Sequence, residues 1–158
     1  MIVVRESVLV LSVVTVGLMA GLYSAFAYAV MPALRRVDDN SFVATIQRIN
    51  VAIVNPLFLL IFFGGLGFTV IAAVLYRDER MLWWIVAGAV LYGVTLVITV
   101  AFNIPLNNQI AAAGDPDRVS DLRAVREAFE DHWVRWNLVR AVAGTAALAV
   151  LVAGLVTV

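Results

Sequence analysis

The stretch MLWWIVAGAVLYGVTLVITVAFNIPLN, from Met81 to Asn107, decides the class of fold. It carries no charged side chain. An α-helix rises about 1.5 Å per residue, so roughly 20 residues cross a hydrocarbon core of about 30 Å. Inside lipid the backbone must hydrogen-bond to itself, so such a stretch reads as a helix, here a span from about Met81 to Phe102. Three further stretches have the same character, at about 7–31, 51–76 and 138–158. The whole composition agrees. Of the 158 residues, 63% are apolar or aromatic and 14% are charged, against about 25% charged in soluble domains. The expectation is an all-α integral membrane protein, a four-helix bundle forming a single transmembrane domain over residues 1–158.

The charge balance removes several functions. Eleven basic residues, all arginine, face eleven acids, for a net charge of zero. No basic excess exists to neutralise a phosphate backbone, so nucleic acid is not an expected partner. With no cysteine there is no disulfide, thiolate metal site or iron–sulfur cluster. His132 is the only histidine, so no metal site needing two imidazoles forms within one copy.

The connections differ. Arg77-Asp78-Glu79-Arg80 is a tight polar turn between the second and third spans. Between Pro32 and Asn50, Phe42, Ile46 and Ile49 recur at helical spacing, as in a short interfacial helix. In the longest polar region Gly114 is suited to end a helix, Asp115 to cap the next and Pro116 to open it. From there Val119, Leu122, Val125, Phe129, Trp133 and Trp136 step by three or four, an amphipathic helix over about 115–137 that leads into the fourth span. The alanines at 25, 27 and 29 offer signal-peptidase patterns, but the near-neutral flank Arg5-Glu6 favours a retained span. Arg35, Arg36, Arg48, Arg118, Arg123, Arg126 and Arg135 lie on the side of the larger loops, against Arg5, Arg77 and Arg80 on the other. By the positive-inside rule the larger loops face the cytoplasm.

Polar side chains inside spans are costly enough to carry information. Tyr92, Thr95, Thr99, Asn103 and Asn107 rise along one helix face. The threonines can bond back to their own helix, whereas an amide needs several partners. The second cluster is His132, Trp133, Trp136, Asn137 and Arg140. His132, Trp136 and Arg140 share one face, and Trp133, Asn137 and Arg140 a neighbouring one. An interfacial belt accounts for the tryptophans, and less well for Asn137 and Arg140. Smaller features are Asn55-Pro56 at the second span, Tyr23, Ser24 and Tyr28 ending the first, and Gly17-x-x-x-Gly21 as a close-packing pattern.

Gly21-Leu22-Tyr23-Ser24, Met31-Pro32-Ala33-Leu34, Asn55-Pro56, Asn103-Ile104-Pro105-Leu106-Asn107 and Trp133-x-x-Trp136-Asn137-x-x-Arg140 form an ordered set across nearly the whole chain. Together they resemble the anthrone oxygenase-like family of small four-span membrane proteins. The resemblance implies a site where the third and fourth spans meet their polar loop. It also implies an oxidoreductase that converts a lipophilic aromatic substrate, an anthrone, with dioxygen and without an established metal or flavin cofactor. A plasma membrane of bacterial type, crossed several times, is the implied location. On that reading His132 is the base, with Asn137 and Arg140 beside it as catalytic residues. Asn103 and Asn107 hold substrate oxygens, and Trp133 and Trp136 wall the pocket.

Other readings stay open at this point. One is a non-catalytic accessory or assembly subunit of a membrane complex, as a homo-oligomer or with other chains. Another is a binder of a quinone-like ring or of haem, which would find one histidine and, improbably, Met19 or Met31. A transporter is disfavoured, since no acid lies deep in a span and no repeat is evident.

Overall fold

The computed structural model describes residues 2–157. Among the described residues there are five helices and no strand. Four of them are long and apolar enough to cross a membrane: α1 (Ile2–Leu34), α3 (Pro56–Leu75), α4 (Met81–Ala112) and α5 (Leu122–Thr157). The shorter α2 (Asp39–Ile53) lies between α1 and α3. The chain is an integral membrane four-helix bundle. In it α1 packs on α3 and α5, and α4 packs on α3 and α5, closing a ring in the order α1, α3, α4, α5.

Two cores fill it. The bundle core holds Leu9, Val16, Met19, Ile85, Tyr92, Ala147 and Leu151. Close approach depends on glycine: a β-carbon on Gly65 would run into the ring of Tyr92, whose hydroxyl donates to the carbonyl of Phe62 at 2.7 Å. The second core lies at the loop end, where Phe42, Val43 and Ile46 of α2 meet Met31, Ile110, Phe129 and Trp133. Beside it Arg126 pairs with Asp39 and Glu130 and donates to the carbonyls of Val37 and Arg35. Asp38 caps α2 by accepting from the amide and hydroxyl of Ser41, which pulls its carboxyl below the usual aspartate value.

Element boundaries differ from the sequence reading in instructive ways. Residues 51–53 finish α2, and α3 begins only at Pro56, because the Asn55 side chain accepts from the amide of Phe58 at 3.0 Å. Apolarity alone does not mark that break. Helix α4 runs ten residues past Phe102, to Ala112. Gly114, at φ +80°, ends the segment as expected. Asp115 and Pro116 open only a 3-10 turn (Pro116–Arg118), and α5 starts at Leu122, where Asp121 accepts from the amide of Ala124. The glycine pair in α1 divides: a β-carbon on Gly17 would sit 3.5 Å from Leu148, whereas one on Gly21 would meet no other element within 4 Å.

Two helices carry the same local irregularity. Phe26–Val30 in α1 and Thr99–Asn103 in α4 are π-helical turns. The amide of Met31 reaches back to Phe26, and that of Ile104 to Thr99, five residues in each case. Each donor immediately precedes a proline, Pro32 or Pro105, which has no amide to continue the ladder. The widened turn absorbs that lost bond inside the helix and re-aims the residues beyond it.

Candidate functional site

Between the two cores the helices leave a cavity of 260 Å³. Phe62, whose carbonyl accepts from Tyr92, lines one side of it, and α2 covers it through Ile46, Ile49 and Ile53. Phe58 and Phe62 of α3 form an apolar wall with stacked rings 5.5 Å apart. The polar lining comes from four helices: Tyr23 of α1, Asn50 of α2, Thr99, Asn103 and Asn107 of α4, and Trp133, Asn137 and Arg140 of α5.

Arg140 organises this lining. Its guanidinium donates to the Thr99 hydroxyl at 3.2 Å and to the Asn137 carbonyl oxygen at 2.9 Å. It stands 4.6 Å from the Tyr23 ring centre and 5.5 Å from that of Trp133, so aromatic faces shield the cation. Asn137 is fixed in turn by donating to the Tyr23 carbonyl at 3.0 Å. Trp133 donates to the Asn107 side chain at 2.9 Å, which locks the indole against α4. No ion pair to Arg140 exists among the described residues, and its Nε has no partner. A lone arginine in a span costs about 2.5–3.5 kcal/mol even on the mildest insertion scale. Among the described residues no acid stands beside it to offset that cost.

Other buried atoms are left open around it. Both amide atoms of Asn103, which is 1% exposed, lack a partner, as do the Tyr23 hydroxyl and the Nδ2 of Asn50. All of these residues line the cavity. The site therefore offers a cation, a phenolic hydroxyl and an amide with both a donor and an acceptor free, on an otherwise apolar chamber.

The structure brings Asn103, Asn107, Trp133, Asn137 and Arg140 together on this cavity. Trp136 does not line it; it stacks on Phe102, with ring centres 3.6 Å apart. His132 does not line it either. Next to the inward-facing Trp133 along α5, His132 points outward and is exposed. The i, i+4, i+8 face of His132, Trp136 and Arg140 drawn from the sequence thus holds together only at Arg140. Three polar lining residues are not among the sequence-predicted site members: Tyr23, Asn50 and Thr99, the last because a threonine can bond to its own helix. Tyr23 drew little weight because a tyrosine near a span end is ordinary. Asn50 was passed over, although it interrupts the apolar face Ile46, Ile49, Ile53 of α2, and that was the available signal.

These features define a class: a four-span membrane protein with an inner, cation-bearing cavity lined mostly by apolar side chains. The family model for anthrone oxygenase matches residues 56–150, more than half of the chain, and the chain belongs to that family. The match takes in α3, α4 and most of α5, including every polar cavity residue of α4 and α5. No curated protein and no solved structure matches the chain.

Proposed function

We propose that this protein is a membrane oxygenase that oxidises a lipophilic aromatic ring compound with dioxygen. The observation that supports this most is the buried, unpaired Arg140 on an apolar chamber. An anthrone loses a proton from the carbon opposite its carbonyl, and the negative charge moves onto the carbonyl oxygen. Arg140 receives that oxygen, with the free Asn103 amide and Tyr23 hydroxyl as further donors. In a low-dielectric chamber such preorganised donors stabilise the developing anion strongly. The carbanion adds to dioxygen, giving a hydroperoxide once a proton returns. Loss of water from it leaves the ketone, so one CH₂ and one O₂ become one C=O and one H₂O. The electrons come from the substrate, and the reading calls on no metal or flavin.

His132 is not the base in this reading, because it faces away from the chamber. Arg140 instead lowers the substrate's own acidity barrier, and the proton leaves to water at the polar mouth lined by Asn50 and Asn107. We place the chain in a plasma membrane of bacterial type with the larger loops in the cytoplasm, on the arginine distribution. A non-catalytic binder of a quinone-like ring uses the same cavity and differs in consuming no dioxygen.

The test is aerobic conversion of an anthrone to its quinone by detergent-solubilised protein, corrected for spontaneous oxidation, beside Arg140→Met. Dioxygen uptake that tracks quinone formation in wild type and vanishes in the variant supports the oxygenase. Equal rates in both, at the spontaneous level, sink it.

A further inference from the structure

The chamber is smaller than the ~300–1,000 Å³ that usually houses a drug-sized ligand, at 260 Å³. It takes a ring system and little more, so any larger ligand has to leave it somewhere. Two ways out exist. One passes Asn50 and Asn107 into a groove lined by Gln47, Asn108 and Asp115. The other lies on the flank of α3, where Leu59 and Phe63 both line the chamber and are 39% and 60% exposed.

Leu59 and Phe63 are one helical turn apart, about 5 and 11 Å along α3 from Pro56 by helical rise, inside an apolar span. What is exposed there faces hydrocarbon. Side chains that touch both the chamber and the lipid make a wall one side chain thick, where a lateral opening needs only those side chains to part. The wall behind it differs, since Phe62 there is 7% exposed. Val54 and Ile104 also line the chamber and are exposed likewise, at 64% and 43%, but toward the loop end. The helix backbone at this opening is bonded within α3, so an apolar chain crossing it strips no polar group of its partner. The groove is mixed: Val51, Val54, Ile104 and Ala111 line it beside Gln47, Asn50, Asn107 and Asn108, so a hydrocarbon chain laid there would displace water from those amides.

We propose that the ligand of this site is a membrane-resident ring compound carrying a long apolar chain. Its ring and ionised oxygen sit in the chamber against Arg140, and its chain leaves sideways past Leu59 and Phe63 into the bilayer. The proposal rests on the reading of the cavity as a ring site, and it holds whether or not the ring is oxidised there. The mixed groove is then left for water and protons.

The experiment is calorimetric titration of detergent-solubilised protein with two probes. One is a hydroxynaphthoquinone whose acidic hydroxyl ionises near neutral pH. The other is its analogue with a long saturated chain beside that hydroxyl. Both are expected to bind wild type, and Arg140→Met weakens both alike. Leu59→Trp, which fills the opening from the lipid side, is expected to raise the Kd of the chain-bearing probe about tenfold or more while the bare ring changes less than about twofold. Phe63→Ala, which widens it, speeds dissociation of the chain-bearing probe alone. The proposal is overturned if wild type takes the bare ring but refuses the chain-bearing one. It is also overturned if Leu59→Trp affects the two probes equally, or if neither probe binds. Dioxygen uptake in the same samples reports on the oxygenase reading separately, since binding here needs no turnover.

Discussion

The half of the bundle far from the loops and the half that meets them treat buried polar groups in opposite ways. In the far half Ser12 and Thr69 share a hydrogen bond at 2.6 Å across α1 and α3, and Thr69 also bonds to the carbonyl of Gly65. Thr15 bonds to the carbonyls of Leu11 and Ser12. These hydroxyls are satisfied, and glycines bring the helices together: Gly88 against Leu151, Gly154 against Trp84. In the near half Asn103, Tyr23, Asn50 and the Nε of Arg140 keep buried polar atoms without partners; among the described residues of the far half the Nε of Arg5 is the one such atom, on a guanidinium paired with Glu79. Both halves are helical and apolar. Unused hydrogen-bonding capacity, rather than polarity as such, distinguishes the cavity end of this bundle.

The contrast can be broken or sharpened by substitution. The largest effect is expected at Arg140. Removing a preorganised donor to a developing oxyanion costs about 100- to 1,000-fold in turnover, so Arg140→Met is expected to abolish measurable ring oxidation. Ser12→Ala, in the other half, leaves the rate alone. A variant of Arg140 with wild-type kinetics would falsify the division.

Next comes the scaffold itself. Gly65→Ala drives a methyl group into the Tyr92 ring and strains its bond to Phe62. Overpacking of this kind costs about 1–3 kcal/mol, read as a lower midpoint of thermal unfolding in detergent. An unchanged midpoint means that the two helices separate freely at that point.

Asn103→Leu tests both halves of the idea at once. An unpartnered buried amide costs the fold about 1–3 kcal/mol, so replacing Asn103 by an apolar side chain of similar size is expected to raise the unfolding midpoint while turnover falls about tenfold. Asn137, which bonds to Tyr23 and Arg140, is expected to lower the midpoint when replaced by Leu. A drop in both variants means that Asn103 has a protein partner after all.

The smallest effect is expected at His132. An exposed residue away from such features shifts stability by no more than about 0.5 kcal/mol, and His132→Ala is expected to leave turnover and its pH profile as in wild type. A tenfold loss would return the histidine to the chemistry and require α5 to turn.

How far the site was legible follows from these same residues. Asn103, Asn107, Asn137 and Arg140 stood out in the sequence because polar groups in apolar runs are rare for a thermodynamic reason. His132 stood out by its chemistry alone. Whether a side chain near a helix entrance turns in or out depends on which neighbour its helix packs against, and periodicity supplied two adjacent faces without choosing between them. Packing chose the one with Trp133, because Phe26 and Phe129 pair with that indole, at ring-centre distances of 5.6 and 6.0 Å. Trp136 was left to Phe102.

By itself the sequence determined the four spans, the helical class and the family, since hydropathy and short motifs are local quantities. The tertiary structure alone decided three things. It carried α4 ten residues past Phe102, to Ala112, because tertiary packing of Ile110 on α2 rewards helix where hydropathy has run out. It brought Tyr23 of α1 beneath Arg140 of α5, a cation–aromatic contact between residues far apart in the chain that no spacing encodes. And it left the Asn103 amide without a partner, because an unmet hydrogen bond is a property of everything that surrounds a residue and not of the residue.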